Sequence, residues 1–150
     1  MTANLTVRES KFSDINQLVS TIREKDRQEC LRLGFTPRVA LIYGYKNAFL
    51  RHTALVNGKV GAMWGVVGQV TSTTGFPYFV TSIYSEEVSP IRFARLYKQE
   101  VRKMNDLFPK LVNYVDSSYE ESVRLLKLTG FKVEEPGPKG FCRFTMSKEP

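Results

Sequence analysis

The chain is poor in metal ligands and thiols. Its 150 residues include two cysteines and one histidine. A structural zinc site takes about four Cys or His ligands, so zinc-finger architectures and most transition-metal enzymes are excluded. Cys30 and Cys142 lie far apart, so no disulfide framework is expected and a reducing compartment fits the thiols best. A Cys–His nucleophile pair, Cys30 or Cys142 with His52, is open on composition, although a free cysteine usually serves as a small buried apolar residue. There is no apolar run near the roughly 18 residues of a membrane span. The opening residues MTANLTVRESKFSD lack the pattern of a secretory leader. Like charges form no run of five or more, and no internal repeat, low-complexity tract or long linker interrupts the chain.

What is present points to one packed domain over residues 1–150. Hydrophobic residues make up 42% and charged residues 25%. The 22 Lys and Arg exceed the 15 Asp and Glu, giving a net charge of +7, and the isoelectric point is near 9.5. Such a surface tolerates anionic partners such as phosphate-bearing small molecules or nucleic acid. The basic residues are dispersed, however, and a solvated basic surface is the simpler reading.

Periodicity gives the element order. Leu5–Glu9 reads as a strand. A helix capped by Ser13 or Asp14 runs to about residue 25, with Ile15, Leu18, Val19 and Ile22 on one face. A second helix covers about 26–33 and ends at Gly34. Thr36-Pro37 reads as cap and first-turn proline of a third, ending near residue 46. Strands at 50–56 and 60–68 flank Asn57-Gly58, the strongest hairpin signal in the chain. TSTTGFP at 71–77 reads as a polar turn, and 78–84 as a strand. Pro90–Leu107 is a long helix with Arg92, Arg95, Lys98, Arg102 and Lys103 on its polar face. A strand at 111–116, a helix at Glu120–Thr129 stopped by Gly130, and strands at 131–134 and Phe141–Ser147 complete the order. Antiparallel strands followed by a strand–helix–strand crossover predict an α/β domain built on one mixed, mostly antiparallel sheet with helices on both faces.

This order, with LVNYVDSSYEESVRLLKLTGFKV at 111–133 and the opening Val7, Arg8, Glu9, Ser13, Asp14, resembles the Gcn5-related N-acetyltransferase (GNAT) fold. Within it, the chain is similar to the acetyltransferase-like internal virion protein A family of short-tailed, podovirus-type phages. The shared features are Asp26-Arg27-Gln28-Glu29 before Gly34-x-Thr36-Pro37, ALVNGKVGAMWGVVG at 54–68, FVTS at 79–82, NYVD at 113–116 and RLLKLTGF at 124–131. They span nearly the whole chain.

The resemblance implies acetyl-CoA as cofactor and no metal. It also implies phage virion or host proteins as partners, and a location in the host cytoplasm or with the virion. Active members of the fold hold the cofactor pyrophosphate on a glycine-rich loop; the corresponding stretch here, SEEVSPIRFAR at 85–95, has no glycine. The resemblance places Ile83, Ser89, Ile91, Arg92, Arg95 and Asp116 at the cofactor. Glu86 or Glu87 stands where a base would accept the amine proton. Tyr84 and Tyr119 are the candidate hydroxyls, Leu126 standing where the fold usually has a thiolate-protonating tyrosine. Asp26, Arg27, Glu29 and Trp64 are candidates for substrate or partner contact. Each has a plainer reading. Asp116 suits a turn or helix cap, Trp64 a bulged core strand, and the carboxylates at 86–87 and 26–29 solvated helix starts. Two functions stand open: acetyl transfer to an amine of a host or phage target, and a non-catalytic assembly protein that keeps the fold. Non-specific nucleic-acid binding through the net charge is a weaker third.

Overall fold

A computed structural model describes residues 2–148. Its elements are β1 (Leu5–Glu9), α1 (Phe12–Ser20), α2 (Glu24–Arg32), α3 (Pro37–Asn47), β2 (Ala48–Val56), β3 (Lys59–Val67), β4 (Thr74–Thr81), a short 3-10 helix (Ile83–Glu87), α4 (Pro90–Leu107), β5 (Lys110–Asp116), α5 (Glu120–Thr129), β6 (Lys132–Val133) and β7 (Phe141–Ser147). The strands form one mixed sheet in the order β1-β2-β3-β4-β5-β7-β6. This is the mixed α/β class expected from the element order. No helix among the described residues is long and apolar enough to cross a membrane. The chain divides into two compact units, one of residues 1–67 and 78–89, the other of residues 68–77 and 90–150.

In the first unit β1 pairs antiparallel with β2, and β2 with β3. The hairpin turns on Asn57 and Gly58, both at positive φ (49° and 81°), the backbone that a two-residue turn matched to strand twist requires. In the β2–β3 register Leu55 faces Val60 and Ala54 faces Ala62, so Gly61 is the extra, bulged residue. The core gathers Ile15, Leu18, Leu41, Val60, Met63 and Val80, with Ile22, Tyr45 and Tyr78 packed against it.

Asp14 is not the cap of α1. Lys11 takes that position, and Asp14 sits three residues in, its carboxylate accepting the Lys11 N–H at 2.8 Å. The same carboxylate, 1% exposed, accepts two bonds from Arg8 and one from the Thr53 hydroxyl, all at 2.8–2.9 Å. Burial opposes its ionisation, but these donors outweigh burial and hold its carboxyl below the usual range.

Helix α1 ends at Ser20 rather than near residue 25. Ile22 keeps the apolar spacing and reaches the core, but from a β-bridge opposite Ser82 rather than from a helix. At α3 the cap is as expected: Thr36 Oγ1 accepts the Val39 N–H at 3.3 Å, and Pro37 fills the first helical position.

In the second unit β4 begins at Thr74, inside the stretch read as a polar turn. It pairs parallel with β5 at Thr74↔Lys110 and Gly75↔Leu111. Pro77 follows in β4 and brings no N–H to a ladder. The Asn113 side-chain amide donates to its carbonyl at 2.8 Å. Helix α4 buries Phe93, Ala94, Tyr97, Val101 and Met104, as its periodicity requires. It also buries Glu100, 2% exposed, whose carboxylate takes the Lys103 ammonium at 2.8 Å. Lys103, expected on the polar face, therefore serves an ion pair with a buried carboxylate. Gly130 ends α5 in the left-handed conformation, φ 112°.

Candidate functional site

Strand β4 stops at Thr81, three residues before its expected end, because Ser82 redirects the chain. The Ser82 hydroxyl donates to the Val60 carbonyl at 2.7 Å and accepts the Tyr84 N–H at 3.2 Å. The Ser85 hydroxyl donates back to the Ser82 carbonyl at 2.7 Å. Residues 83–87 are thereby wound into a 3-10 turn that presents Ile83, Tyr84 and Glu87 together. With Val56, Asn57 and Lys59 of the hairpin they line a shallow pocket of about 260 Å3. The Lys59 ammonium lies 4.9 Å from the Tyr84 ring centroid, a cation–π contact. The pocket thus holds a carboxylate, a phenol and an ammonium on a half-apolar floor.

Glu86 points elsewhere. Its side chain is two-thirds exposed and stands 3.9 Å from Arg23 Nε, which also lies 3.6 Å from Asp26 Oδ2. Asp26 accepts the Thr81 hydroxyl at 2.8 Å and the Thr81 N–H at 3.4 Å. Of the residues expected to meet a substrate, Asp26 is therefore committed to the end of β4. Arg27 is exposed and forms a 2.8 Å ion pair with Glu24, and Glu29 is half-buried. Trp64 is fully buried in β3, edge-on to His52 at 6.4 Å between ring centroids, so it lies in the sheet interior rather than on a surface.

Beside β3, Tyr78 occupies a niche that two glycines open. A Cβ on Gly44 would fall 2.8 Å from the Tyr78 ring. One on Gly65 would fall 2.7 Å from its hydroxyl and 2.5 Å from the Leu50 carbonyl oxygen. Burial pushes the Tyr78 phenol well above its ordinary value, against an opposing influence of Arg51. Arg51 itself stacks on Tyr45, 4.0 Å from the ring centroid.

In the second unit, α4 opens with Pro90, then Ile91, 58% exposed, half-buried Arg92 and exposed Arg95. A helix N-terminus with two guanidinium groups one turn apart is a favourable place for phosphate. Ser89, just before the helix, is exposed. Asp116 is 1% exposed, and its Oδ1 accepts both the Ser118 N–H at 2.9 Å and the Ser118 hydroxyl at 2.7 Å. It builds the turn from β5 into α5, the plainer of its two expected roles. Half-buried Tyr119 follows at the cap position of α5, where its N–H donates to the Asp116 carbonyl.

The structure thus brings Ile83, Tyr84 and Glu87 into one pocket, and Asp26 and Glu86 to one arginine. Sequence reasoning missed Lys59, Arg23 and Thr81, whose roles come from contacts distant along the chain; the strong Asn57-Gly58 turn was the one signal pointing to Lys59. Burial, with Asp26 and Glu29 nearby, pushes the Cys30 thiol up to about 11, away from the thiolate that a nucleophile uses. Among the described residues no group of three or more His, Cys, Asp or Glu side chains is arranged to hold a metal.

No protein-family model and no curated protein sequence matches the chain. Solved structures do. A GNAT superfamily phosphinothricin acetyltransferase from Sinorhizobium meliloti, in complex with AcCoA, is similar at TM-score 0.73 and 17% identity, over 99% of this chain and 89% of that one. Ribosomal-protein-S5-alanine acetyltransferase from Vibrio fischeri is similar at TM-score 0.65 and 13% identity, over 99% and 98% of the two chains. A GNAT-family acetyltransferase from Bacillus anthracis is similar at TM-score 0.65 and 11% identity, over 100% and 99%. At these identities the likeness is one of fold, and the fold is that of the GNAT acetyltransferases.

Proposed function

We propose that the protein is an acetyl-CoA-dependent N-acetyltransferase acting on an amine of a host or phage target. The observation that carries this reading is the end-to-end likeness of fold to an acetyltransferase determined with AcCoA. The polarity of α4 supports it: Arg92 and Arg95, on and next to the first helical turn, suit the cofactor phosphates. In the reaction the free amine attacks the thioester carbonyl. The C–N bond forms, the C–S bond breaks, and CoA leaves as a thiolate that takes up the proton the amine gives up. Glu87, exposed in the pocket beside Tyr84 and Lys59, is the carboxylate best placed to accept that proton. The choice of target rests on the resemblance of the sequence to phage internal virion proteins alone.

A second reading, a GNAT-fold assembly protein without catalysis, is favoured by the glycine-free stretch at 85–95 and by Leu126, 9% exposed, where the fold usually has a tyrosine.

Calorimetric titration with acetyl-CoA at low and moderate salt separates the two. Saturable one-to-one binding below about 100 µM, weakened at least about tenfold in Arg92→Glu/Arg95→Glu, supports the enzyme; Glu87→Gln then lowers turnover in an amine screen without loss of fold. No heat at millimolar acetyl-CoA supports the assembly protein.

A further inference from the structure

Strand register decides which side chains share a face of the second unit's sheet. On β5, Leu111 and Val115 are buried. Their partners on β7, Met146 and Cys142, point the same way. A Cβ on Gly130, where α5 ends, would fall 3.3 Å from the Met146 methyl, so this is a face that helix covers. The alternate residues of β5, among them Val112 and Tyr114, point to the other face. Thr145 of β7 sits beside Val112 there, and Lys132 of β6 beside Thr145. On β4, the parallel pairs Thr74↔Lys110 and Gly75↔Leu111 are carried on by the Asn113–Pro77 bond. That register sets Phe76 next to Val112, on the same face.

That second face is open. Tyr114 is 50% exposed and Phe76 46%, with half-buried Val112 between them. A sheet face turned to water normally alternates to polar residues; here two aromatic rings flank a valine. Strand spacing and rise put their Cα atoms roughly 8 Å apart. Cations stand at the margins: Lys110 and Lys132 are exposed and form no ion pair among the described residues. The nearby Glu134 carboxylate is taken up by Arg143 at 3.2 Å. Rings that present a π-face, framed by unpaired ammonium groups, complement a chain of bases on phosphates. Stacking on an aromatic ring accepts any base, and lysines meet the backbone charge. The basic face of α4 has the cations without the rings. A homodimer face, by contrast, is broader and poor in charge at its centre.

We propose that the open sheet face of the second unit is a platform for single-stranded nucleic acid. Two bases stack on Phe76 and Tyr114, and the flanking phosphates meet Lys110 and Lys132. The platform needs no acetyl-CoA and no catalysis, so it stands apart from the functional reading above.

Fluorescence anisotropy of a labelled oligothymidylate of about eight nucleotides, titrated with the whole chain at low salt, tests the platform. Saturable binding that Phe76→Leu and Tyr114→Leu each weaken at least about fivefold, and that Tyr114→Phe retains, supports it. Both rings are half-exposed, so thermal unfolding of these variants should match that of the unmodified chain. Lys110→Gln/Lys132→Gln should flatten the dependence of log affinity on log salt by about 1.4 in slope, the share of two phosphate contacts. Lys98→Gln/Arg102→Gln removes the same charge from α4 and should leave the slope nearly unchanged. An oligouridylate of equal length tells RNA from DNA, and tighter binding of either supports the platform. No binding at about 100 µM protein would overturn it. So would unchanged affinity in both leucine variants, an equal effect of the α4 variant, or a duplex bound as tightly as the single strand. A concentration-dependent dimer in sedimentation, lost in Tyr114→Leu, would give the face to a second copy of the chain and also overturn it.

Discussion

Asn113 on β5 supplies to Pro77 on β4 the hydrogen bond that a backbone ladder would otherwise make. The 2.8 Å bond from its side-chain amide to the Pro77 carbonyl follows directly on the parallel pairs at 74–75 and 110–111. Proline contributes an acceptor but no donor, so a side chain that donates sideways is the economical partner. Asn113→Ala should cost about 1 kcal/mol in denaturant unfolding. Asn113→Asp should cost more, since it sets a carboxylate against a carbonyl. Equal stability of all three proteins would show the bond to be incidental.

The buried carboxylate of Asp14 makes stability depend on pH. Its carboxyl is held below the usual range in the folded protein, so its contribution is fully present above the unfolded value of about 3.9. That contribution is lost as pH falls through the folded value. Asp14→Asn should destabilise by roughly 2 kcal/mol at pH 7, a modest figure because Arg8 is one-third exposed. The gap between the two proteins should close as unfolding curves are taken below about pH 4. A gap constant from pH 7 to pH 2 would contradict the assignment.

Cys30 should alkylate slowly. With its thiol pushed up to about 11, about one molecule in a thousand carries the thiolate at pH 8. In a Cys142→Ser background, the iodoacetamide rate should climb about tenfold per pH unit from 7 to 10. A plateau near pH 8 would mean an activated thiol.

The two glycines around Tyr78 should fail in different ways. The nearest atoms to a Cβ at Gly44 all belong to the Tyr78 side chain, so the cost of Gly44→Ala, about 1–3 kcal/mol, should be largely relieved in a Tyr78→Leu background. Gly65→Ala also meets the Leu50 carbonyl oxygen at 2.5 Å and should remain destabilised there. Thermal unfolding of the three single and two double variants, against the unmodified chain, reads the coupling.

Local chemistry made much of the fold legible. Asn57-Gly58 specified its hairpin, Thr36-Pro37 its helix start, Gly130 its helix stop, and the glycines of β3 a bulge, realised at Gly61. What escaped depends on partners distant in sequence. TSTTGFP has the composition of a turn, yet Thr74 and Gly75 become strand because residues 110–111 pair with them. Ile22 keeps the helical apolar period and fills the core, so nothing local signals that its backbone has left the helix for a bridge to Ser82. For the candidate site, Tyr84 and the alternatives Glu86 and Glu87 were named from the sequence as separate candidates, and the structure puts Tyr84 and Glu87 on one pocket. Lys59 and Arg23 were not, since their roles exist only once the hairpin and the α1–α2 link reach the chain at 81–87.

The interleaving of the two units through β4 bears on how the chain is made. The first unit needs residues 78–89 in addition to 1–67, and the second needs 68–77 in addition to 90–150. No single cut releases either one whole, so a limited digest or a two-fragment expression has no natural seam to exploit. On the ribosome, the first unit has all its residues only once residue 89 has emerged. By then the Gly68–Pro77 stretch is already out, waiting for partners that the ribosome has yet to deliver.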